Sequence, residues 1–354
     1  MKKKLYIDGY FLTQRITGVQ RYAEELISNM RDIGYEIVIL APRNASRTIP
    51  GVDIRRNKFF NGLLWQQVYL PIYLFFLGAP LITSFSGLGP IFYKNKLLTI
   101  HDGSLYRYPE FFSFLYRLIY KGLYPITIFF SKGLITVSEF SKNEIKKFIT
   151  VRKQISVINN VVTDLHEENS NDTNRCCSEK YILTVGSLDK RKNLTRIIEA
   201  FLKANLDPDY SLYVVGGAAK SFTEMGPSTI ASNSRVKFLG YIPDKELSSL
   251  YRNAQSFLYL SLYEGFGIPP LEALVHDCPV LLSDIDVFRE LYGKEFYLVD
   301  PLDTELIAKA IEEFSRIDRA KILASQKKVL SIYTKVNQIQ QFENIIDRYI
   351  CEKN

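Results

Sequence analysis

The segment SLYEGFGIPPLEAL at residues 261–274 carries more information about this chain than any other. It places Glu264 and Glu272 eight positions apart, on either side of a glycine-rich turn and a double proline. Two carboxylates in this arrangement suit a general acid/base pair, a metal site, or binding to the hydroxyls of a sugar. Because proline is preorganised for the first turn of a helix, Pro269 predicts that a helix begins here with Glu272 in its first turn.

The turn between the two glutamates favours close approach to a ligand. Gly265 and Gly267 allow backbone amides to come near it, and the free N–H groups of a helix N-terminus attract phosphate. The apolar run SFLYLS at 256–261 predicts a strand that leads into the turn. Such a strand–turn–helix unit can hold a diphosphate between two hydroxyl-bearing rings, with one carboxylate for each ring.

The rest of the chain alternates short β-branched runs with amphipathic segments. The runs predict buried strands at 4–10, 35–42, 80–86, 96–104, 133–138, 153–161, 181–187, 211–217, 235–242, 256–261 and 278–284. The amphipathic segments predict helices at 18–34, 141–149, 193–204, 244–254, 269–276 and 303–314. Two consecutive βαβ sets predict an α/β fold with two doubly wound parallel-sheet domains, and the cleft between them is the expected ligand site.

A polar segment without periodicity, 163–180, separates the two sets and predicts a linker. A chain of 354 residues also fits two domains better than one core. The predicted organisation is an N-terminal Rossmann-like domain at 1–165, a linker at 166–180 and a C-terminal Rossmann-like domain at 181–334. Residues 335–354 have apolar positions at helical spacing and are expected to form a helix that returns to the first domain.

Charge is distributed unevenly along the chain. Residues 1–165 contain 22 Lys+Arg and 11 Asp+Glu, a net +11, and the remaining 189 contain 23 and 27, a net −4, which sum to the total of +7. In the basic half, aromatic residues are interleaved with cations, as in 111–130. This mixture suits an anionic membrane surface at least as well as nucleic acid, and a solvated basic face over core aromatics is the alternative.

The longest apolar run and the cysteines bear on localisation. The run at 68–82 holds about 15 residues with a proline inside, fewer than the roughly 20 that span a bilayer, so a soluble or peripheral protein is expected. The cysteines lack C-x-x-C spacing, which favours a reducing cytoplasm without zinc or disulfides. They are Cys176, Cys177, Cys278 and Cys351.

The string EGFGIPPLE resembles the E-x7-E signature of retaining GT-B glycosyltransferases of family 4 (group 1). Further segments match this family's blocks in the same order. They are 16–27, 97–112, 135–145, 157–162, 181–201, 214–217 and 236–247, with Val161 at the position of a common glycine. The resemblance extends over nearly the whole chain. It implies the GT-B fold, two Rossmann-like domains facing a central cleft, and a retaining glycosyltransferase.

The same resemblance implies roles for individual residues. Glu264 would bind the hydroxyls of the donor sugar, Glu272 the ribose, and Lys192 the diphosphate. Ser187 follows Gly186 where the family often has an arginine, and Arg191 is the cation that compensates. The complete implied donor site consists of Gly18, Arg191, Lys192, Tyr241, Glu264, Gly265, Phe266, Gly267, Leu271 and Glu272.

His101 follows a predicted strand at the carboxyl end, where open α/β sheets bind ligands. In the resembling enzymes the corresponding histidine lies beside the reacting sugar, so the implied catalytic residues are His101, Glu264 and Lys192. Asp102 serves the acceptor or caps the following turn. Gly18 either approaches the β-phosphate or simply starts a helix.

The carboxylates of Asp284 and Asp286 form a D-x-D string like the metal site of GT-A enzymes. Lys192, Arg191 and the helix dipole already supply positive charge, so we expect an exposed loop there, no metal and no cofactor. The segments RYPEFF (107–112), SEFS (138–141) and GSLDKRKN (186–193) resemble those of mannosyl- and rhamnosyltransferases of bacterial O-antigen and surface-polysaccharide synthesis.

The expected substrates follow from that branch of the resemblance. GDP-mannose is the favoured donor, with rhamnosyl, fucosyl and UDP-sugar donors as alternatives, and the acceptor would be a polyprenyl-diphosphate-linked glycan. The expected location is cytoplasmic, peripheral on the inner face of the bacterial plasma membrane, with no nucleic-acid partner. A sugar-nucleotide epimerase of the same fold and a non-catalytic nucleotide-sugar-binding protein are the competing functions.

Overall fold

The computed structural model describes residues 4–162, 179–186, 189–216 and 233–351. Contacts divide the chain into unit 1, which is Met1–Val161 with Thr334–Asn354, and unit 2, which is Val162–Tyr333. The predicted linker at 166–180 falls almost entirely outside the described residues, as do Cys176, Cys177 and Ser187. Each unit is described by itself below.

Unit 1 contains a seven-stranded parallel sheet in the order β3-β2-β1-β4-β5-β6-β7. Apolar residues occupy nearly every position of the central strands because both faces of the sheet are covered. The order reverses between β1 and β4, which makes the sheet doubly wound. The strands are β1 (Lys4–Asp8), β2 (Glu36–Ala41), β3 (Asp53–Arg56), β4 (Ile82–Ser84), β5 (Lys96–Thr99), β6 (Gly133–Thr136) and β7 (Ile155–Val157).

The helices of unit 1 connect successive strands. They are α1 (Gly18–Asp32), α2 (Gly62–Leu64), a π-helical turn (Trp65–Tyr69), α3 (Leu70–Phe76), α4 (Ser104–Arg107), α5 (Phe114–Phe130) and α6 (Glu139–Phe148), with 3-10 turns at Gly9–Thr13 and Pro109–Phe111. Ser138 caps α6, because its Oγ accepts the N–H of Ser141 at 3.0 Å. None of the helices in the described ranges combines the length and apolarity needed to cross a bilayer.

Unit 2 contains a six-stranded parallel sheet in the order β10-β9-β8-β11-β12-β13. This is the Rossmann order, with its reversal between β8 and β11. The strands are β8 (Lys180–Val185), β9 (Tyr210–Val215), β10 (Val236–Gly240), β11 (Ser256–Tyr259), β12 (Val280–Ser283) and β13 (Tyr297–Val299). The helices are α7 (Leu194–Lys203), α8 (Asp244–Asn253), α9 (Ile268–Val275), α10 (Asp286–Tyr292), α11 (Thr304–Arg316) and α12 (Arg319–Gln326), with 3-10 turns at Lys190–Lys192, Gly293–Glu295 and Lys327–Ser331.

The last helix, α13 (Lys335–Cys351), belongs to unit 1 and packs beside α1. Asn29 Nδ2 in α1 donates to Gln338 Oε1 at 2.8 Å, and both side chains are buried. Gln338 Nε2 in turn donates to the carbonyl of Asn159 at 3.0 Å. These paired amides satisfy each other inside the unit and fix the position of α13 against it.

The α/β class with two doubly wound parallel sheets, predicted from the sequence, is confirmed. The prediction omitted the strands β3 and β13 and the helices α2, α3, α4, α5, α10 and α12. β3 is a partly exposed edge strand of sequence DIRR, and β13 has only three residues, so neither has the apolar run of a buried strand. Of the omitted helices, the α2–α3 segment and α5 carry exposed apolar residues on their outward sides, a feature discussed below.

Candidate functional site

The site in unit 2 lies where the strand order of the parallel sheet reverses, between β8 and β11. Lys192 lies in the 3-10 turn that follows β8, and Glu264 lies in the loop that follows β11, the neighbouring strand. Parallel strands bring their carboxyl ends to one edge, so the two side chains meet at the switch point of the sheet. Lys192 Nζ donates to Glu264 Oε1 at 2.5 Å, and 21% and 13% of the two side chains are exposed.

Tyr259 completes this cluster, although the sequence did not single it out. It is the last residue of β11, and its hydroxyl accepts a hydrogen bond from Lys192 Nζ at 2.8 Å. The ammonium also lies 4.9 Å from the centre of the Tyr259 ring. Burial raises the pKa of Tyr259 well above its usual value, and the nearby Glu264 carboxylate adds to the effect. The phenol is therefore neutral and can donate its proton to Glu264.

Glu264 is ionised in this environment. Burial alone would raise the pKa of its carboxyl group, but the charge and hydrogen bond of Lys192 outweigh burial and lower it. An ionised carboxylate accepts hydrogen bonds without donating them, so Glu264 is suited to bind sugar hydroxyls and unsuited to act as a general acid.

The turn after Glu264 requires glycine at one position. Gly267 has φ +94° and precedes α9, and a Cβ there would lie 2.8 Å from Phe288 Cε1. Tyr292 donates its hydroxyl proton to the carbonyl of Gly267 at 2.7 Å and holds the turn. Because the side chains of Phe266 and Leu271 are buried, only their backbones can serve the predicted donor site, as for the buried Gly265.

Glu272 lies deeper than the sequence predicted. The helix begins at Ile268, so Glu272 is its fifth residue and falls in the second turn, which makes the first-turn prediction wrong. Its side chain is only 5% exposed, and Oε2 accepts the hydroxyl proton of Tyr251 at 3.2 Å. The earlier start of α9 moves the carboxylate away from the free N–H groups at the helix N-terminus. The ribose-binding role of Glu272 stays a prediction.

Arg191 and Tyr241 complete the predicted donor residues of unit 2. The guanidinium of Arg191 pairs with Asp189, with Nε to Oδ2 at 2.9 Å, so its charge is already partly neutralised. The carbonyl of Arg191 accepts the N–H of Leu262 at 2.7 Å, which ties the loops after β8 and β11 together. Tyr241 follows β10 directly and is 64% exposed.

His101 lies in unit 1, just beyond the carboxyl end of β5. Its Nε2 is 2.8 Å from the carbonyl of Phe85, which can only accept, so Nε2 carries the proton. Burial lowers the pKa of the imidazole and keeps it neutral, with Nδ1 as an acceptor. The ring stands perpendicular to that of Tyr22, 5.2 Å between centres. These contacts fix both the orientation and the tautomer of His101.

Asp102 and Gly18, also in unit 1, have clear local roles. Asp102 Oδ1 accepts the N–H of Ser104 at 2.8 Å and thereby caps the start of α4, one of the two roles left open. Gly18 is the exposed first residue of α1. Its helix starts with a reciprocal cap, in which the N–H of Thr17 donates to Gln20 Oε1 at 3.0 Å.

Asp8 is a further carboxylate that sequence reasoning missed. It ends β1 at the switch point of unit 1 and is buried, which raises its pKa to about 6. It accepts hydrogen bonds from Gln66 Nε2 at 2.7 Å and Ser84 Oγ at 3.0 Å. The backbone N–H of Tyr10 also donates to this carboxylate, at 3.0 Å, so three donors share it. Asp8 therefore anchors the loop that leads towards α1.

The D-x-D string has an ionic partner of its own. Arg289 Nε donates to Asp284 Oδ1 at 2.5 Å, and its NH1 lies 3.3 Å from Asp286 Oδ1. Across the residues that the structure describes, no three histidine, cysteine or acidic side chains cluster as metal ligands would. Metal independence stays a prediction for experiment.

Residues 166–328 match the family model of Glycosyl transferases group 1. They contain a glycosyl transferase group 1 domain, and the two Rossmann-like sheets match those of GT-B glycosyltransferase structures. The chain is 32% identical over 231 residues to the O-antigen chain mannosyltransferase RfbU of Salmonella typhimurium, covering 64% of this chain and 63% of that one. It is 27% identical over 263 residues to the O-antigen chain mannosyltransferase B of Escherichia coli, covering 68% and 67%.

Among solved structures, Anabaena HepE in complex with UDP-glucose has a TM-score of 0.74 with 18% sequence identity, covering 98% of this chain and 100% of that one. Identity at this level establishes the fold alone. The chain thus spans just under two thirds of the length of RfbU and resembles a nucleotide-sugar-bound protein in fold.

Proposed function

We propose that this protein is a retaining glycosyltransferase that transfers mannose from GDP-mannose to a lipid-linked glycan during surface-polysaccharide synthesis. The observation that carries the proposal is the Lys192–Tyr259–Glu264 cluster at the switch point of unit 2. It presents one cation and one ionised carboxylate within a single hydrogen-bonded group. The similarity to two O-antigen mannosyltransferases supports the choice of sugar.

In the proposed reaction, the bond between the anomeric carbon and the diphosphate oxygen breaks. The acceptor hydroxyl forms a new bond on the same face, and its proton passes to an oxygen of the leaving diphosphate. Lys192 stabilises the negative charge that develops on the diphosphate. Glu264 orients the sugar through its hydroxyls, and Tyr259 holds both side chains in place. In unit 1, Nδ1 of His101 stays able to accept a hydroxyl, because Nε2 is already bonded to Phe85.

A donor screen tests this proposal directly. Release of nucleoside diphosphate and sugar transfer would be measured with GDP-mannose, GDP-fucose, dTDP-rhamnose and UDP-glucose, each with and without EDTA. We expect turnover with GDP-mannose, unchanged by EDTA and lowered at least about a hundredfold by Lys192→Met, as for loss of one charge-stabilising donor. Turnover with another donor alone would reassign the sugar. The absence of turnover with any donor would refute the proposed glycosyltransferase activity.

Product analysis separates the transferase from an epimerase. An epimerase would convert the nucleotide sugar without an acceptor, whereas the proposed transferase forms a glycoside only when an acceptor is present. A non-catalytic binding protein would retain nucleotide-sugar affinity and show neither product. Anomeric configuration of the product, determined by NMR, tests retention.

The acceptor side of the proposal rests on an exposed apolar surface of unit 1. We call this surface the apolar face, and its helical members recur every three or four residues, which places them along one side of each helix. They are Leu64, Val68, Ile72, Phe75 and Phe76 in the α2–α3 segment, and Phe114, Leu115, Leu118, Ile119, Ile126 and Phe129 in α5. The phenylalanines among them are between 71% and 81% exposed.

Both helical segments cover the same side of the sheet. Leu74 of α3 packs with Ile82, and Ile128 of α5 packs with Leu98. Ile82 is in register with Lys96, and side chains two residues apart on a strand share a face, so Leu98 points to the same side as Ile82. The outer sides of α3 and α5 therefore both present exposed apolar side chains on the same side of the sheet, more than isolated exposed residues would give.

An anionic membrane is the occupant that fits this surface best. The net charge of +11 over residues 1–165 attracts anionic lipid and repels a second copy of the same unit. Phenylalanine and leucine side chains on such a surface enter the boundary between headgroups and acyl chains. We therefore propose peripheral attachment at the cytoplasmic face of the plasma membrane, where a polyprenyl-diphosphate-linked acceptor would be held. Flotation of the protein with lipid vesicles tests this attachment.

A further inference from the structure

A basic cavity of about 360 Å³ lies at the end of α5 in unit 1. Its lining consists of Lys94, Phe129, Phe130, Ser131, Lys132 and Lys153. The three lysines precede β5, β6 and β7 by one or two residues. Because these strands are parallel, the cavity lies at the amino-terminal edge of the sheet, opposite the edge that carries His101. It is therefore separate from the residues assigned to the reaction.

The cavity concentrates positive charge that no carboxylate in its described lining balances. Lys153 Nζ donates to the carbonyls of Phe129 and Ser131, where the C-terminus of α5 is electronegative. An ammonium group has three donors, so Lys153 retains one for a ligand. Lys132 Nζ is held by the carbonyl of Tyr349 at 2.6 Å. Lys94 is exposed and has no hydrogen bond or ion pair with any described residue.

A buried lysine holds the loop beside the cavity. Lys96 is 0% exposed, and its Nζ donates to the carbonyls of Ile91 at 2.8 Å and Tyr93 at 3.1 Å. Burial, together with the neighbouring charge of Lys153, lowers the pKa of Lys96 to about 7, while the charge of Asp8 opposes both effects. Lys96 thus fixes the loop that carries Phe92 and Lys94.

The rim of the cavity is apolar and exposed. Phe92 and Phe129 are 70% and 72% exposed, and the rings of Phe92 and Phe130 lie 5.4 Å apart, edge to face. The ammonium of Lys153 is 6.0 Å from the centre of the Phe129 ring. Phe129 is also the last member of the apolar face along α5. Cations beside exposed aromatic rings match a molecule with an anionic head and an apolar tail.

We propose that this cavity binds the phosphate of an anionic phospholipid headgroup, with Phe92 and Phe129 inserted among the acyl chains. The proposal rests on the membrane attachment proposed above and is independent of the donor site. Free phosphate shares the headgroup's chemistry, but it would make no use of two exposed phenylalanines. The lipid would hold the amino-terminal edge of the sheet at the membrane, about 25 Å along α5 from the end of the helix nearest His101.

Vesicle flotation with the full-length protein tests the cavity. Vesicles of phosphatidylcholine alone would be compared with vesicles that also contain phosphatidylglycerol. Lys94→Glu is the main variant, because Lys94 makes no described contact that its loss would break. Lys153→Gln is the second variant, and Lys309→Glu, at an exposed position of α11, is the control with the same change in net charge. Inorganic phosphate at constant ionic strength would be tested in parallel by thermal shift.

We expect the wild type to bind phosphatidylglycerol vesicles selectively. A lysine near an anionic surface contributes about fivefold in partitioning, so Lys94→Glu should weaken binding about 25-fold and Lys153→Gln about fivefold. Lys309→Glu should change binding less than about twofold. Equal binding by all four proteins would overturn the cavity assignment. A different result would be that inorganic phosphate stabilises the wild type but not Lys94→Glu, while vesicle binding is the same for both. That result would overturn the lipid headgroup as the ligand and assign a free anion to the cavity.

The same experiment separates this proposal from the transferase itself. Donor turnover by a wild type that binds no vesicles would refute both the cavity lipid and the membrane attachment, and leave the glycosyltransferase intact. Selective vesicle binding that depends on Lys94, in a protein that turns over no donor, would support the cavity and refute the enzyme.

Discussion

Glu264→Gln is expected to separate nucleotide binding from sugar transfer. In the structure, Lys192 Nζ is bonded to Glu264 Oε1 at 2.5 Å, so the charge of the lysine is neutralised before any donor arrives. A diphosphate that uses Lys192 must share it with the carboxylate, which also repels the phosphate. Glutamine keeps the shape and hydrogen-bonding capacity of the side chain but removes its negative charge.

The size of the effect follows from charge and burial. Two unit charges about 4 Å apart interact by about 4 kcal/mol at an effective dielectric constant of about 20. The remaining exposure of both side chains and the hydrogen bond of Lys192 to Tyr259 reduce this value. A net relief of about 1–2 kcal/mol predicts about five- to thirtyfold tighter binding of free GDP. Loss of a charge-assisted hydrogen bond to the sugar, about 1.5–3 kcal/mol, predicts transfer slowed by about ten- to hundredfold.

Calorimetric titration with GDP and a transfer assay with GDP-mannose measure the two effects on one protein preparation. Glu36→Gln is the matched control, because Lys4 and Glu36 form an ion pair of similar length, 2.6 Å, on the exposed surface of unit 1. Its removal should change neither readout. Transfer within about twofold of the wild type, together with unchanged GDP affinity, would refute the assignment of Glu264 and Lys192 to the donor site.

Three further predictions concern the stability of the two units. Gly267→Ala combines φ +94° with a contact of 2.8 Å to Phe288, and should destabilise unit 2 by about 2–4 kcal/mol in thermal unfolding, against about 1 kcal/mol for Gly240→Ala, which has φ +68° and open space. The pKa of Glu264 is below the usual 4.5, so its contribution to stability is present above that pH and is lost as pH falls through the folded-state pKa. The stability difference between wild type and Glu264→Gln should therefore shrink on acidification, and a constant difference would contradict it. Asn29→Ala leaves a buried amide of Gln338 without its donor, and should destabilise unit 1 by about 1–3 kcal/mol in thermal unfolding.

The main architecture could be predicted because its strands are local features. A strand buried on both faces needs apolar residues at nearly every position, and the runs at β1, β2, β8 and β9 show this directly. Edge strands do not need them. β3 has the sequence DIRR with three exposed or half-exposed charged positions, so its pairing depends on β2 rather than on its own composition.

The candidate site was predictable in part for a similar reason. Glu264 and Gly267 lie within one short contiguous motif, so the sequence shows them together without knowledge of the fold. The pairing of Lys192 with Glu264 joins positions 72 residues apart and depends on β8 lying beside β11. Tyr259 sits at the end of an apolar strand, where a tyrosine looks like any core aromatic. Only the strand order shows that its hydroxyl meets both Lys192 and Glu264.

The helix α5 shows how a failed prediction can be informative. Periodicity identifies a helix by the contrast between an apolar face towards the core and a polar face towards water. In α5 the buried side contributes Thr127 and Ile128, while the outward side carries Phe114, Leu118 and Phe129, so the contrast is missing. Burial within unit 1 cannot account for apolar residues on the outward side. The anionic membrane proposed above would accommodate them, and the basic cavity at the end of the same helix would bind its headgroups.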